Sequence, residues 1–211
     1  MTAFVIISGV FAPLAAIIAL KNEMLPNLKK VLYPLNWQDI LTYIHFPITF
    51  IALHLWRNEL GLSELLWRYL LLGFGYIIAT HDFRYKVVPN GYILAFLAVW
   101  VIITVPQMFS QIEPALEYLS NAAFGALIGG GLFMLVYIIS KKGLGGGDVK
   151  FMTVAGLYLG LNGVLPVILY ASVLSALTGL VLILFKRMSR KDAMPLVPFL
   201  YIGFLITVFV M

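Results

Sequence analysis

The sequence has 211 residues, of which 62% are hydrophobic and 11% are charged, and its mean hydropathy is +1.00. Soluble globular domains carry about 45–50% apolar and about 25% charged residues, so this composition excludes an ordinary soluble domain. The net charge of +5 does not indicate a nucleic-acid partner, because the basic residues follow the loops between apolar segments, and the lack of cysteine excludes disulfides and cysteine-based zinc sites.

Apolar segments of the length that spans a bilayer recur along the whole chain. We predict helices, in chain order, at about 2–20, 40–56, 65–81, 91–108, 121–140, 149–161, 164–185 and 195–211. The first segment is followed by its lysine, Lys21, which indicates a membrane helix running from outside to inside and not a cleaved signal peptide. The predicted fold is an all-α polytopic membrane protein, a bundle of about eight transmembrane helices. Its first two helices and their short cytoplasmic loop form residues 1–64, and a core follows at 65–211.

The basic residues indicate which side of the membrane each loop occupies. With eight crossings, twelve of the fourteen lysines and arginines fall on one side, in or just beyond the loops 21–39, 82–90, 141–148 and 186–194. Because cytoplasmic loops carry the excess of Lys and Arg, we predict that these loops are cytoplasmic and that both termini face outward. All four aspartates also fall on this side: Asp39, Asp82, Asp148 and Asp192.

The run Gly145-Gly146-Gly147-Asp148 interrupts the apolar sequence just before the predicted helix 149–161. That helix would cover only about 20 Å of a hydrocarbon core about 30 Å thick, whereas a helix that begins near Gly145 would hold Asp148 in its first turn. Glycines beside an aspartate let another backbone, such as an extended substrate, approach closely. Taken alone, the run is also typical of a flexible loop that ends in a helix-capping aspartate.

Asp82 closes another apolar helix and is followed by the turn signal Pro89-Asn90-Gly91. By itself it is also typical of a loop aspartate that pairs with a neighbouring base. Two carboxylates held close together cannot both ionise cheaply, so they share a proton. The charged member can then activate a water while the neutral member protonates a leaving group. This chemistry needs neither a metal nor a cofactor.

Three stretches resemble the type IV prepilin peptidases, which are membrane aspartic peptidases of the GxGD type. The first runs from Asp82 to Asn90, with proline and asparagine seven and eight residues after the aspartate. The second runs from Gly145 to Lys150 and leads into the small-residue helix FMTVAGLYLG, and the third is Pro195-Leu196-Val197-Pro198-Phe199-Leu200. The resemblance extends from about residue 65 to the end of the sequence.

The resemblance implies that Asp82 and Asp148 form the catalytic pair of an intramembrane endopeptidase. It implies removal of the short basic leader of type IV pilin-like precursors, in a multi-pass protein of the cytoplasmic (inner) membrane whose active site faces the cytoplasm. Bifunctional members carry a cysteine-rich loop associated with N-methylation, which this sequence lacks, so we do not expect methyltransferase activity. The positions that match substrate-binding or site-shaping residues are Gly145, Gly146, Gly147, Lys150, Pro89 and Asn90.

Two other functions remain open at this point. A small proton-coupled transporter or channel could use the two aspartates as relay sites, although such proteins often show inverted repeats and carry their carboxylates near the membrane midplane. A catalytically inactive relative could act in assembly. Neither His45 nor His54 indicates a metal site, and His81 is either a plain interfacial histidine or one that tunes the pKa of Asp82. The sequence does not indicate the particular precursor or the oligomeric state.

Overall fold

A computed structural model describes residues 37–56, 61–110, 112–140, 143–189, 192 and 194–210. The regular structure within these ranges is helical throughout, which confirms the predicted all-α class for this part of the chain. The helices are α1 (Trp37–Trp56), α2 (Leu62–Tyr85), α3 (Asn90–Ser110), α4 (Ile112–Ser140), α5 (Gly146–Leu184) and α6 (Val197–Val210). The helix predicted at about 2–20, and most of the loop after it, lie outside the described residues.

The observed helices match the predicted segments in order but differ at two places. Helix α4 begins at Ile112, well before the predicted 121, so Glu117 lies on a helix and not in a loop. The reason is that hydropathy detects only the apolar part of a helix. Helix α4 extends beyond that part toward its N-terminus, through more polar turns. The second difference is that the predicted helices 149–161 and 164–185 are both parts of α5.

Helix α5 is broken at Gly160, not at the predicted loop 162–163. Gly160 has φ 62° and ψ −175°, a conformation that residues with a Cβ rarely adopt. The Leu161 N–H donates a hydrogen bond of 2.9 Å to Asn121 Oδ1, so a side chain from α4 caps the helical residues that follow the break.

The chain reverses its direction at this break. A Cβ placed on Gly129 of α4 would lie 2.9 Å from both Met152 O and Val164 Cγ2. Twelve residues of straight helix would separate Met152 from Val164 by about 18 Å, so both cannot contact one glycine unless the chain folds back. The parts 146–159 and 161–184 of α5 therefore form a hairpin.

Glycines allow the first half of this hairpin to pack tightly on α4. The backbones of Gly125 and Gly156 lie so close that a Cβ on either would collide with the carbonyl oxygen of the other, and Gly130 faces the Thr153 side chain in the same way. Small residues four positions apart are typical of close helix packing in membranes, and Gly125 and Gly129 follow that spacing.

The described residues fall into two compact units that divide between Tyr69 and Leu70. In the first unit, Phe50 of α1 packs edge-on against Tyr69, with 5.3 Å between ring centroids. The Thr49 hydroxyl donates to the His45 carbonyl at 2.7 Å and lies 3.2 Å from His45 Nε2, so this histidine has a polar neighbour on its own helix.

An aromatic core holds the second unit together. Phe96 of α3 stacks on Phe74 of α2 and on Tyr158 of α5, with centroid distances of 4.9 and 4.2 Å, and the Tyr158 hydroxyl donates to Phe96 O at 2.7 Å. Phe151 extends the core to Phe204 of α6, with 5.8 Å between the rings. Phe151 lies about one helical turn after Asp148, so the packing of Phe151 in this core also holds the first turn of α5, which carries Asp148, in place.

Two described helices are long and apolar enough to cross a membrane, at Ala115–Ser140 and Gly146–Leu184. Three shorter apolar helices lie at Ile44–Trp56, Asn90–Pro106 and Val197–Val210. By length and composition, the described part of the chain thus supports fewer crossings than the eight that the sequence predicts.

Candidate active site

Asp82 lies in the last turn of α2, and its side chain is buried, with 4% of its surface exposed. The helix ends three residues after Asp82, at Tyr85, because the next residue, Lys86, adopts a left-handed conformation with φ 52°. The Lys86 N–H donates to the Asp82 carbonyl at 2.7 Å. His81 Nδ1–H donates to Val87 O at 2.9 Å, which holds the following loop against the helix end. The loop then leads into α3 at Asn90.

Asp148 is the third residue of α5, so the helix begins early enough to hold this carboxylate in its first turn. The residue before the helix, Gly145, is extended, with φ −78° and ψ 143°, and its N–H donates to Asp148 Oδ2 at 3.0 Å. This is the reach-back half of a capping box. Asp148 is 9% exposed, so both aspartates are withdrawn from solvent.

The segments that carry the two aspartates lie directly against each other. A Cβ on Gly147 would lie 2.9 Å from Val88 Cβ and 3.3 Å from Val88 O, so only a glycine leaves room for this loop. One turn further along α5, Lys150 Nζ donates to Asn90 Oδ1 at 3.0 Å. The structure therefore joins two stretches that the sequence could only place on the same side of the membrane.

Asp82 and Asp148 are near enough for the charge of one carboxylate to act on the other, in addition to their burial. Burial raises the pKa of Asp82 above its usual value, while the backbone N–H of Val197, the neighbouring His81 and the backbone N–H of Leu196 lower it. Two buried carboxylates in electrostatic contact favour a state with one shared proton. The arrangement can therefore present one charged and one neutral carboxyl group to the same reacting group.

A third segment reaches this site through its backbone. The Val197 N–H, at the start of α6, donates a hydrogen bond of 3.1 Å to Asp82 Oδ2. Sequence reasoning did not identify Val197 as a functional residue, since a backbone donor leaves no signature in the side chains. The only available signal was the resemblance of the stretch 195–200 to a known segment.

Of the remaining predicted site residues, Gly145 and Pro89 lie among the atoms of the site, whereas Gly146 faces open space. A Cβ on Gly145 would lie 3.0 Å from Asp148 Oδ2, so Gly145, like Gly147, shapes the surroundings of an aspartate. Pro89 is half-buried in the loop between Val88 and α3. Gly146, by contrast, faces open space, with no described atom within 4 Å of the position where its Cβ would lie.

The segments that form this site are similar in sequence to known proteins. The model of the type IV leader peptidase family matches residues 69–180, which include both aspartates. A prepilin leader peptidase/N-methyltransferase of Xanthomonas campestris pv. campestris is 28% identical over 127 residues, covering 58% of this chain and 42% of the relative. A protein of the same description from Bacillus subtilis is 25% identical over 127 residues, covering 60% of this chain and 48% of the relative.

The match spans less than half the length of each of these relatives. No solved structure matches the chain. The family model covers more than half of the chain, and the segments it includes are those that bring Asp82 and Asp148 together. The chain therefore belongs to the type IV leader peptidase family.

Proposed function

We propose that the protein is an aspartic endopeptidase that removes the short basic leader of type IV pilin-like precursors. The observation that carries this proposal is the contact between the segments of Asp82 and Asp148, made by Gly147 against Val88 and by Lys150 with Asn90. The curated relatives are named for prepilin leader peptidase activity, which agrees with the proposal.

The chemistry follows from two buried carboxyl groups that share one proton. The ionised aspartate takes a proton from a water molecule, whose oxygen attacks the carbonyl carbon of the scissile peptide bond. The neutral aspartate then gives its proton to the departing amine nitrogen, and the carbon–nitrogen bond breaks. The two aspartates have then exchanged protonation states, so a proton exchange with water or product restores the starting state.

The glycines before Asp148 supply an approach for an extended substrate. Gly145 and Gly147 are confined by Asp148 and by Val88, whereas the position above Gly146 is open. A peptide backbone can approach a glycine more closely than any residue with a side chain. We propose that the segment on either side of the scissile bond lies over Gly146.

We further propose that this site faces the cytoplasm, in a multi-pass protein of the inner membrane with eight crossings and both termini outside. The distribution of twelve basic residues against two supports this topology. So does the position of the site: Asp82 at the end of α2, Asp148 at the start of α5 and Val197 at the start of α6 all belong to the predicted cytoplasmic ends. The partners would be the lipid bilayer and the precursor. We do not extend the proposal to methyl transfer.

The test is cleavage of a purified precursor with a basic leader, in detergent and in liposomes. The variants are Asp82→Asn, Asp148→Asn and, as a matched control, Asp192→Asn. Asp192 is exposed and its carboxylate accepts a hydrogen bond from the Ser189 N–H within its own turn. We expect wild type and the Asp192 variant to cleave, and each of the other two to lose at least about 100-fold in rate.

Cleavage by either the Asp82 or the Asp148 variant at the wild-type rate would contradict the proposal. If no protein cleaves while wild type moves protons across liposomes and both aspartate variants do not, the relay function is supported instead. The thermal stability of each variant in detergent distinguishes a chemical defect from unfolding.

A further inference from the structure

We propose that the backbone N–H of Val197 is a positioning group that holds Asp82 as the ionised member of the pair. Asp82 is then the base that activates water, and Asp148 is the acid that protonates the leaving amine. This inference rests on the proposed function, since it assigns separate roles to the two aspartates of the same site.

The hydrogen bond lies in a region that excludes water. Val197 is 0% exposed and Asp82 is 4% exposed, and the bond of 3.1 Å joins residues 115 positions apart. A hydrogen bond from an N–H to a carboxylate is stronger than one to a neutral acceptor, and burial increases the difference. The contact therefore favours the charged form of Asp82 over its protonated form.

Val197 can serve this purpose because it begins a helix. It is the first residue of α6, so its N–H has no acceptor within that helix. The next residue, Pro198, has no N–H, and the Phe199 and Leu200 N–H groups both donate to Leu196 O. The first free donor of the helix is thus the one that points at Asp82, where the helix dipole also favours an anion.

The surroundings of the two aspartates differ in a way that supports this assignment. The charge that acts on Asp82 is that of His81 on its own helix, whereas the charge of Asp82 acts on Asp148 of α5, and the segment 194–198 has no titratable side chain. Asp82 thus has the Val197 N–H as an inter-helix donor, a weaker contribution from the Leu196 N–H of the same segment, and an adjacent histidine. The donor to Asp148 is the local Gly145 N–H, from the turn directly before it.

Hydrogen exchange measured by mass spectrometry tests the contact without using activity. A peptide from Met194 to Leu200 contains few amide hydrogens, because residues 195 and 198 are prolines. We expect the Val197 amide to exchange slowly in wild type and rapidly in Asp82→Ala. In Asp148→Ala, which keeps the acceptor, we expect it to remain slow. Equal exchange in wild type and Asp82→Ala would overturn the inference.

The variant Val197→Pro tests the role of the contact in catalysis. Proline is favoured at the first position of a helix and lacks the N–H, so it deletes the donor, while Val197→Ala controls for the lost side chain. The donor lowers the pKa of Asp82, and Asp82 must be ionised to act as a base. Without the donor the pKa of Asp82 rises. As the pH is lowered, Asp82 therefore becomes protonated, and activity is lost, at a higher pH than in wild type.

We expect the acidic limb of the kcat/KM profile of Val197→Pro to move up by about one pH unit, and that of Val197→Ala to stay in place. An unshifted limb in an active Val197→Pro protein would overturn the inference. If Val197→Pro does not fold, the exchange result on Asp82→Ala decides. If wild type shows no cleavage, the proposed function fails, while the exchange result still decides whether Val197 holds Asp82.

Discussion

Lys150 Nζ lies 3.0 Å from Asn90 Oδ1, and this hydrogen bond joins the first turn region of α5 to the first residue of α3. It links segments 60 positions apart, one following each aspartate. In the sequence, Lys150 is both one of the basic residues that predict the cytoplasmic side and a position that matches the site of the family. The structure gives this lysine a specific partner within the site.

The first prediction concerns this pair. Both side chains are exposed, so the bond contributes at the low end of the usual range, about 0.5–1.5 kcal/mol. We expect Lys150→Met and Asn90→Ala each to lower kcat/KM by about 2–10-fold. If the bond holds the two segments in register, the double variant should lose no more than either single variant. Losses that multiply in the double variant would show that the residues act independently.

The second prediction compares two adjacent glycines. Gly147→Ala places a Cβ 2.9 Å from Val88 Cβ, so the loop after Asp82 must move away from α5. We expect a loss of about 1–3 kcal/mol in stability from overpacking, and a fall of at least about 10-fold in cleavage rate because the aspartates shift apart.

Gly146→Ala is the matched control for stability. It points into open space within the first turn of a helix, so thermal unfolding in detergent should be unchanged or slightly raised. Equal unfolding temperatures for wild type and Gly147→Ala would contradict the close approach of Gly147 and Val88.

The third prediction concerns the break in α5. Gly160→Ala combines an unfavourable φ of 62° with a Cβ that would lie 2.6 Å from Asn121 Nδ2. We expect a loss of about 1–3 kcal/mol in unfolding free energy. Gly131→Ala in α4 meets no described atom within 4 Å, and there the same substitution should stabilise by about 0.5–1 kcal/mol. Unfolding in a denaturing detergent series measures both, and equal effects would argue against the reversal at Gly160.

The fourth prediction concerns the end of α5. Lys186 has φ 55°, and its N–H donates to Ile183 O while the Arg187 N–H donates to Leu182 O, the pattern of a Schellman motif. Glycine adopts this conformation without a Cβ penalty, so Lys186→Gly should stabilise the protein by about 1 kcal/mol relative to Lys186→Ala. A glycine variant no more stable than the alanine variant would contradict this account of the helix end.

The sequence predicted the parts of the fold and site that depend on pattern. Apolar length located the described helices, whereas the placement of Asp82 and Asp148 on one side of the membrane, which rests on the alternation of loops, stays a prediction. The predicted start of the helix at about 149 was too late, and the structure has instead the alternative start near Gly145, which holds Asp148 in the first turn.

The parts it missed depend on contacts between distant residues. The break at Gly160 depends on a cap from Asn121, and no periodicity in either helix encodes that pair. The approach of Gly147 to Val88 and the donor from Val197 are backbone contacts, which composition and hydropathy do not register. The start of α4 was placed too late because its first turns are polar.

The reversal at Gly160 divides α5 into two arms of unequal length. The part 146–159 is about 21 Å long, shorter than a hydrocarbon core of about 30 Å, while the part 161–184 is about 36 Å long. Both arms of this hairpin pack on Gly129 of α4, the shorter through Met152 and the longer through Val164. We therefore expect that a change at Gly160, twelve residues from Asp148, displaces that aspartate without contacting it.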